Sequence, residues 1–371
     1  MSKERENKHT IGDLKQMQSL PLSAKVRMTE YRIRQWYEEF GGNVYVSFSG
    51  GKDSTVLLHI TRRLYPEVEA VFVNTGLEYP SVRKFALSHE NVTEIRPTIN
   101  FREVVSRYGY PVISKEISGK VDEARKKPDG YAAKVFAGSK AGTKWDISKY
   151  AYLLDAPFKI HSYCCNAMKK NPCKKFEKET GKTPIVGTFA EESKVRTTQW
   201  LIHGCNAFEK KRPISNPMSF WTENDVLTYI HENDLQIAEA YGEIVIENKK
   251  EITGQETLFD LFNDYRGCKF CTTGCKRTGC VFCLFGITQD KNRIFNLQKV
   301  EPELADYVLR GGEFSKEGMW QPNSRGLGFW FVLDWLNLHG VGAVYKNCEM
   351  YRKEYGNGKT EEFIKREGAT G

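Results

Sequence analysis

Apolar side chains at Val26, Ile33, Trp36, Tyr37 and Phe40 recur near helical spacing, which predicts a helix from about Ser23 to Phe40, closed by Gly41-Gly42. Val44, Val46 and Phe48 then alternate as a strand does, and after a polar glycine-bearing stretch Val56, Leu57, Ile60 and Leu64 mark one face of a second helix. The pattern repeats with a strand at Ala70–Asn74, a helix from Ser81, a strand around Val92–Arg96 and another at Pro184–Thr188. Thr222 with Asp225 three residues on reads as the cap of a helix carrying Val226, Leu227 and Ile230. Strands alternating with helices in this rhythm predict an α/β fold with a parallel sheet and right-handed crossovers.

Around that pattern the chain divides in linear order. Residues 1–22 read as a polar, frayed lead and residues 23–240 as the α/β domain. Residues 241–371 read as a cysteine-rich segment followed by helices and a charged tail. Within the α/β part, residues 115–150 are rich in lysine and glycine and read as an insertion or mobile lid. No repeat of about 20–50 residues is visible.

Composition adds limits. The chain has 371 residues, 40% hydrophobic and 27% charged, which is ordinary for a globular protein and excludes a disordered or fibrous one. No run approaches the ~20 apolar residues of a membrane span, and the first residues lack an apolar signal core, so a cytoplasmic protein away from membranes is expected. Lys and Arg number 55 against 47 Asp and Glu, a net charge of +8 that suits an anionic partner such as a nucleotide or RNA. Ten cysteines are present, five of them between Cys268 and Cys283. In a reducing compartment such clustering points to metal or redox chemistry rather than disulfides.

The stretch Ser49-Gly50-Gly51-Lys52-Asp53-Ser54 joins a predicted strand to a predicted helix. Two glycines let backbone amides approach phosphate oxygens, and the helix aims its positive end at the same point. Lys52 adds charge, and Ser49 and Ser54 add hydroxyls. Asp53 suits an anion site only through a cation, which implies Mg²⁺. The bland alternative is an ordinary glycine turn.

Cys268, Cys271, Cys280 and Cys283 form two Cys-x-x-Cys pairs, a pattern for structural zinc. Cys173, Cys205 and Cys348 read as small buried residues. His161 reads as a locally satisfied side chain or a site contact. Lys169, Lys170, Lys174 and Lys175 read as a solvated face or a phosphate contact, and Trp320, Trp330 and Trp335 as core or a base-stacking platform.

The loop SGGKDS resembles the PP-loop of the N-type ATP pyrophosphatases, and the chain around it resembles the phosphoadenosine-phosphosulfate (PAPS) reductase branch of that family. Asn74-Thr75-Gly76 with Tyr79-Pro80 is similar to the segment after that branch's second strand. Gly187, Glu192-Ser193 and Arg196 match its glycine-to-arginine signature. Pro217, Trp221, Asp225-Val226 and Tyr229-Ile230 follow its next conserved stretch. The likeness spans roughly residues 40–240. It implies a doubly wound, mostly parallel sheet of the adenine nucleotide alpha hydrolase type with a cysteine-rich, helical C-terminal region. It also implies binding of ATP or an adenylylated nucleotide by Ser49–Ser54, Asn74, Thr75, Gly76, Gly187, Glu192, Ser193 and Arg196, with Lys52, Asp53 and Arg196 in the chemistry.

Cys164-Cys165 followed by Cys280-x-x-Cys283 resembles the iron–sulfur-bearing adenylylsulfate reductases, which implies a 4Fe–4S cluster on those four thiolates, with Cys268, Cys271 and Cys275 as alternates. Two departures stand out. Phe189 replaces the first arginine of the signature, and no terminal E-C-G-H segment supplies a reductase nucleophile, Cys348 lying in a different setting. The resemblance therefore implies a sulfurtransferase, served by a sulfur-donor protein and acting on tRNA, DNA or a metabolite. PAPS or adenylylsulfate reduction is the second reading, and a zinc-stabilised nucleic-acid-binding protein the third.

Overall fold

The computed structural model describes residues 7–247 and 268–368, with side chains through residue 363. The start of the polar lead, residues 248–267 of the cysteine-rich region and the last three residues lie outside the described residues. The strands used below are β1 (Val44–Ser47), β2 (Glu69–Val73), β3 (Val92–Ile95), β4 (Val112–Ile113), β5 (Thr183–Val186), β6 (Asn206–Ala207) and β7 (Ile214–Ser215).

Two compact units form, each from separated stretches of chain: Met1–Asn74 with Glu78–Arg96 and Pro172–Thr278, and Thr75–Leu77 with Pro97–Asn171 and Gly279–Gly371. The first unit holds a six-stranded sheet in the order β3-β2-β1-β5-β7-β6, parallel except for the β6 edge. Helices Lys52–Leu64 and Pro80–Leu87 make the crossovers from β1 to β2 and from β2 to β3. Alternation along β1 sends Val44, Val46 and Phe48 into a core shared with Val56, Leu57 and Ile60 and with Ile33 and Trp36 of helix Leu22–Glu39. Tyr45 and Val71 belong instead to a small cluster with Phe176 of helix Asn171–Thr180. The two clusters cover the two faces, so the doubly wound, mostly parallel α/β sheet is present.

Two local readings change. Residues 11–18, inside the stretch that reads as frayed, form a helix, because Thr10 and Asp13 close a capping box on each other's backbone amides and Leu14 is buried. Much of 115–150 is packed rather than lid-like, although residues 141–145 are exposed. Helix Lys115–Lys126 buries Ile117, Val121 and Ala124, and Val135, Phe136 and Ile147 are buried as well. Lysine and glycine dominate the letters there, but the few apolar positions fall at helical spacing and decide the packing.

In this second unit Arg125 donates to the carbonyls of Leu153, Leu154, Ala156 and Phe158 at 2.7–3.1 Å, tying the helix to the following turns. Helix Phe329–Leu338 is buried from Phe329 to Leu336. Trp320, Trp330 and Trp335 lie in that core and offer no stacking platform. His161 accepts from the Tyr163 amide at 2.8 Å and meets Asp122 at 3.2 Å, a locally satisfied histidine.

Candidate functional site

In the first unit, chain direction across the sheet reverses at β1. β2 and β3 extend to one side, and β5 and β7 to the other. Ligands of open α/β sheets bind at such a switch point, outside the carboxyl ends of the strands. Residues Ser49–Ser54 leave β1 at that place and enter helix Lys52–Leu64.

The loop is closed by its own hydroxyls. Ser54 Oγ accepts from the Ser49 amide at 3.2 Å, lies 3.0 Å from Ser49 Oγ and donates to the Gly51 carbonyl at 2.9 Å. Gly50 has φ +68°, and a Cβ there would stand 2.8 Å from the Val82 carbonyl. Gly187, just past β5, is tight but less so, since a Cβ would lie 3.1 Å from the Asp53 carbonyl. The glycine of the signature is thus the residue that lets the β5 end touch the loop.

Asp53 is enclosed at the start of the helix. Its Oδ1 has no hydrogen-bond partner, and burial pushes its carboxyl up to about 6, against the opposing pull of Lys52 and, more weakly, Arg277 and Arg196. A buried carboxylate oxygen without a partner fits the Mg²⁺ that the loop implies. Lys52 is itself held, by the Glu223 carboxylate and by the Lys276 carbonyl at 2.9 Å. Glu192 accepts from the Phe189 amide at 2.9 Å, and Ser193 caps helix Lys194–His203, accepting from the Arg196 amide at 3.3 Å. These two residues build the turn that carries Arg196, whose guanidinium pairs with Glu192. Asp225, by contrast, is structural. It caps its helix through Thr222 and receives the buried Lys25 ammonium at 2.7 and 2.8 Å.

Asn74 closes the first unit's share of the motif, bonded to Glu94. Thr75 and Gly76 belong to the second unit, where Thr75 Oγ1 accepts from the Leu77 amide at 3.2 Å and Gly76 has φ +70°.

The second unit also contains a small thiol-lined cavity, with Cys164, Cys165, Cys280 and Cys283 around it beside Phe101, Met168 and Lys169. Cys164-Cys165 sits at the entry to the helical stretch 166–180. The second pair is turned inward locally: the Cys283 amide donates to the Cys280 carbonyl at 3.1 Å, and Leu284–Phe285 pairs in parallel with β4. The Val281 amide donates to the Leu77 carbonyl at 2.9 Å and Arg293 to the Cys280 carbonyl at 3.0 Å, which fixes the turn further. The Cys164 thiol donates to Cys165, which with Lys115 and Lys169 draws the Cys165 thiol down to about 5, while Cys164 is raised. Burial, with Cys280 beside it, pushes Cys283 up to about 11.

Four thiols from two remote segments facing one largely apolar cavity fit a 4Fe–4S cluster, in which each iron takes one thiolate. Among the described residues no group of three or more His, Cys, Asp or Glu side chains, these four thiols included, is already drawn together around a single metal position. Cys268, Cys271 and Cys275 lie in the first unit, where Phe270–Thr272 pairs with Ile244–Ile246 and the Asn224 side chain bonds to Cys268 and Phe270. Cys173 and Cys205 are buried, and Cys348 is half-buried at the start of helix Cys348–Tyr355.

Motif reading misses Glu223, Tyr241, Arg277 and Thr278 near the loop and Lys115 near the thiols.

A family profile described as phosphoadenosine phosphosulfate reductase domain matches residues 43–127 and 114–284. The chain belongs to that family, whose members include enzymes of sulfur-nucleotide metabolism. It is 26% identical over 218 residues to sulfate adenylyltransferase subunit 2 of Vibrio cholerae, covering 56% of this chain and 63% of that one. It is 27% identical over 202 residues to the uncharacterized protein MJ0066 of Methanocaldococcus jannaschii, 53% of this chain and 33% of the relative. The chain thus spans less than two thirds of either relative. A crystal structure of PAPS reductase from Candida auris, a phosphate complex, aligns with TM-score 0.33 and 14% identity over 63% of this chain and 92% of that one. Among the described residues no helix is long and apolar enough to cross a membrane.

Proposed function

We propose that this chain is a PP-loop sulfurtransferase that binds ATP or an adenylylated nucleotide at Ser49–Ser54 and carries a 4Fe–4S cluster on Cys164, Cys165, Cys280 and Cys283. The observation that carries the nucleotide reading is the loop at the sheet's switch point, with the unpartnered buried carboxylate of Asp53 next to Lys52. Membership of the PAPS reductase domain family supports the sulfur chemistry.

In the proposed reaction an acceptor oxygen attacks the α-phosphate, pyrophosphate leaves, and a sulfur nucleophile then displaces AMP. Loop amides and Lys52 stabilise charge on the departing phosphates once Lys52 exchanges Glu223 for phosphate, and Arg196 holds an anionic oxygen. Mg²⁺, when bound at Asp53, supplies charge neutralisation to the phosphates. The cluster, when bound, supplies a sulfide or an electrostatic anchor, and the chain's part is to hold four thiolates in an apolar wall with Lys115 and Lys169 beside them.

The acceptor in this reading is a nucleic acid, tRNA or DNA. Lys134, Lys144 and Lys149 are exposed along residues 131–149, as are the rings of Tyr131 and Trp145, and Lys144 Nζ lies 5.3 Å from the Trp145 ring centre.

Protein purified without oxygen tests the reading. It should be brown, absorb near ~400 nm and lose iron and sulfide in Cys280→Ser and Cys283→Ser. It should also release pyrophosphate from ATP with Mg²⁺ and an acceptor, and Lys52→Ala should not. Colourless protein with stoichiometric zinc would favour the zinc-binding module. Sulfite release from PAPS or adenylylsulfate that Cys348→Ser abolishes would favour the reductase.

A further inference from the structure

Three consecutive residues, Lys276-Arg277-Thr278, converge on the phosphate loop from a segment that no nucleotide motif includes. The Lys276 carbonyl accepts from Lys52 Nζ at 2.9 Å. The Thr278 hydroxyl bonds the Tyr241 hydroxyl at 2.5 Å, and that hydroxyl in turn accepts from the Lys52 amide at 3.4 Å. Between them Arg277 reaches Glu192 Oε1 at 3.7 Å, the same carboxylate that pairs with Arg196.

Glu192 therefore holds two guanidiniums side by side, and both act on the Asp53 carboxylate. Arg277 is largely exposed and meets Glu192 through one nitrogen at 3.7 Å, so its guanidinium keeps donors available for an anion. The segment Gly187–Ser193 cannot supply a second cation itself, because Phe189 is buried in the core.

We propose that Arg277 is a phosphate-binding residue, forming with Arg196 a two-guanidinium clamp on the polyphosphate tail of the nucleotide bound at Ser49–Ser54. This rests on the nucleotide reading above. Glu192 is the positioning residue that sets the spacing of the two forks. In the same arrangement Glu223 and the Lys276 carbonyl occupy Lys52 until phosphate replaces them.

Binding of Mg²⁺-ATP and of AMP to the full-length protein, measured by calorimetry for the native chain, Arg277→Gln and Arg277→Lys, tests it. A clamp on the tail predicts about 10- to 100-fold weaker ATP binding in Arg277→Gln, the scale of one charge-assisted bond, with AMP affected far less and Arg277→Lys recovering part of the loss. Equal ATP affinity in the native chain and Arg277→Gln overturns the clamp. So does a parallel loss of ATP and AMP, which would mark Arg277 as a structural support. A native chain that binds none of ATP, PAPS and adenylylsulfate overturns the nucleotide reading itself, an outcome distinct from the other two.

Discussion

Asp53 shows how a single side chain can serve a site at the expense of stability. Burial raises its carboxyl from the ordinary 3.8 to about 6. The folded state thus holds the proton more tightly than the unfolded chain, and the stability present below pH 3.8 is lost as pH rises through about 6. The shift corresponds to a penalty on the order of 3 kcal/mol at neutral pH. Asp53→Asn, measured by denaturant unfolding with EDTA and no nucleotide, should match or exceed the native chain in stability at pH 7. The difference should shrink as pH falls from 7 towards 4, and Mg²⁺-dependent turnover should be lost at every pH. A variant less stable at pH 7 than at pH 5, relative to the native chain, would show that Asp53 is satisfied internally. Gly187→Ala probes the neighbouring contact: a Cβ placed 3.1 Å from the Asp53 carbonyl requires the backbone of the loop to give by a few tenths of an ångström. Nucleotide affinity should therefore fall much more than the melting temperature.

At the scale of elements, helix Glu223–Glu232 illustrates a family-like stretch that works through folding rather than chemistry. Asp225 caps the helix and neutralises Lys25, whose side chain is only 3% exposed. Asp225→Ala should cost about 3–5 kcal/mol, because it strands a buried ammonium. Lys25→Met added to Asp225→Ala should recover much of that loss, and equal destabilisation of the single and double variants in urea melts would show that the cap alone matters. The same helix anchors Cys268–Thr272 through Asn224. The Cys-x-x-Cys turn at 280–283 is built differently, from a backbone turn bond and parallel pairing to β4.

For the whole molecule, the two units divide the chemistry between them: the phosphate loop lies in one and the four-thiol cavity in the other. The net charge of +8 and the exposed Lys144 against the exposed Trp145 ring lead to a further expectation for the proposed acceptor. Binding of tRNA or single-stranded DNA in filter or anisotropy assays should weaken steeply with salt, because lysines release counterions from phosphates. Lys144→Glu with Lys149→Glu should reduce both the affinity and the salt slope, while Trp145→Ala should reduce affinity alone by about 1–3 kcal/mol. Affinity unchanged in all of these variants would move the acceptor surface elsewhere.

The alternating strands, the glycine-bearing phosphate loop, the capping pair Thr222 and Asp225 and the grouping of cysteines were legible in the letters, because each depends on local spacing or on the conformational range of one residue type. Other features were decided only in three dimensions. The helix in residues 115–126 was hidden by lysines that face solvent, so composition there spoke for the surface and not for the buried stripe. Which cysteines meet, and that Cys268 and Cys271 fall in a different unit from Cys280 and Cys283, follows from the path of the chain through non-contiguous units. The same reason hid Arg277 and Glu223. Each lies far along the chain from Ser49–Ser54, and electrostatic partners are set by distance through space, which sequence spacing does not encode once the chain turns back on itself.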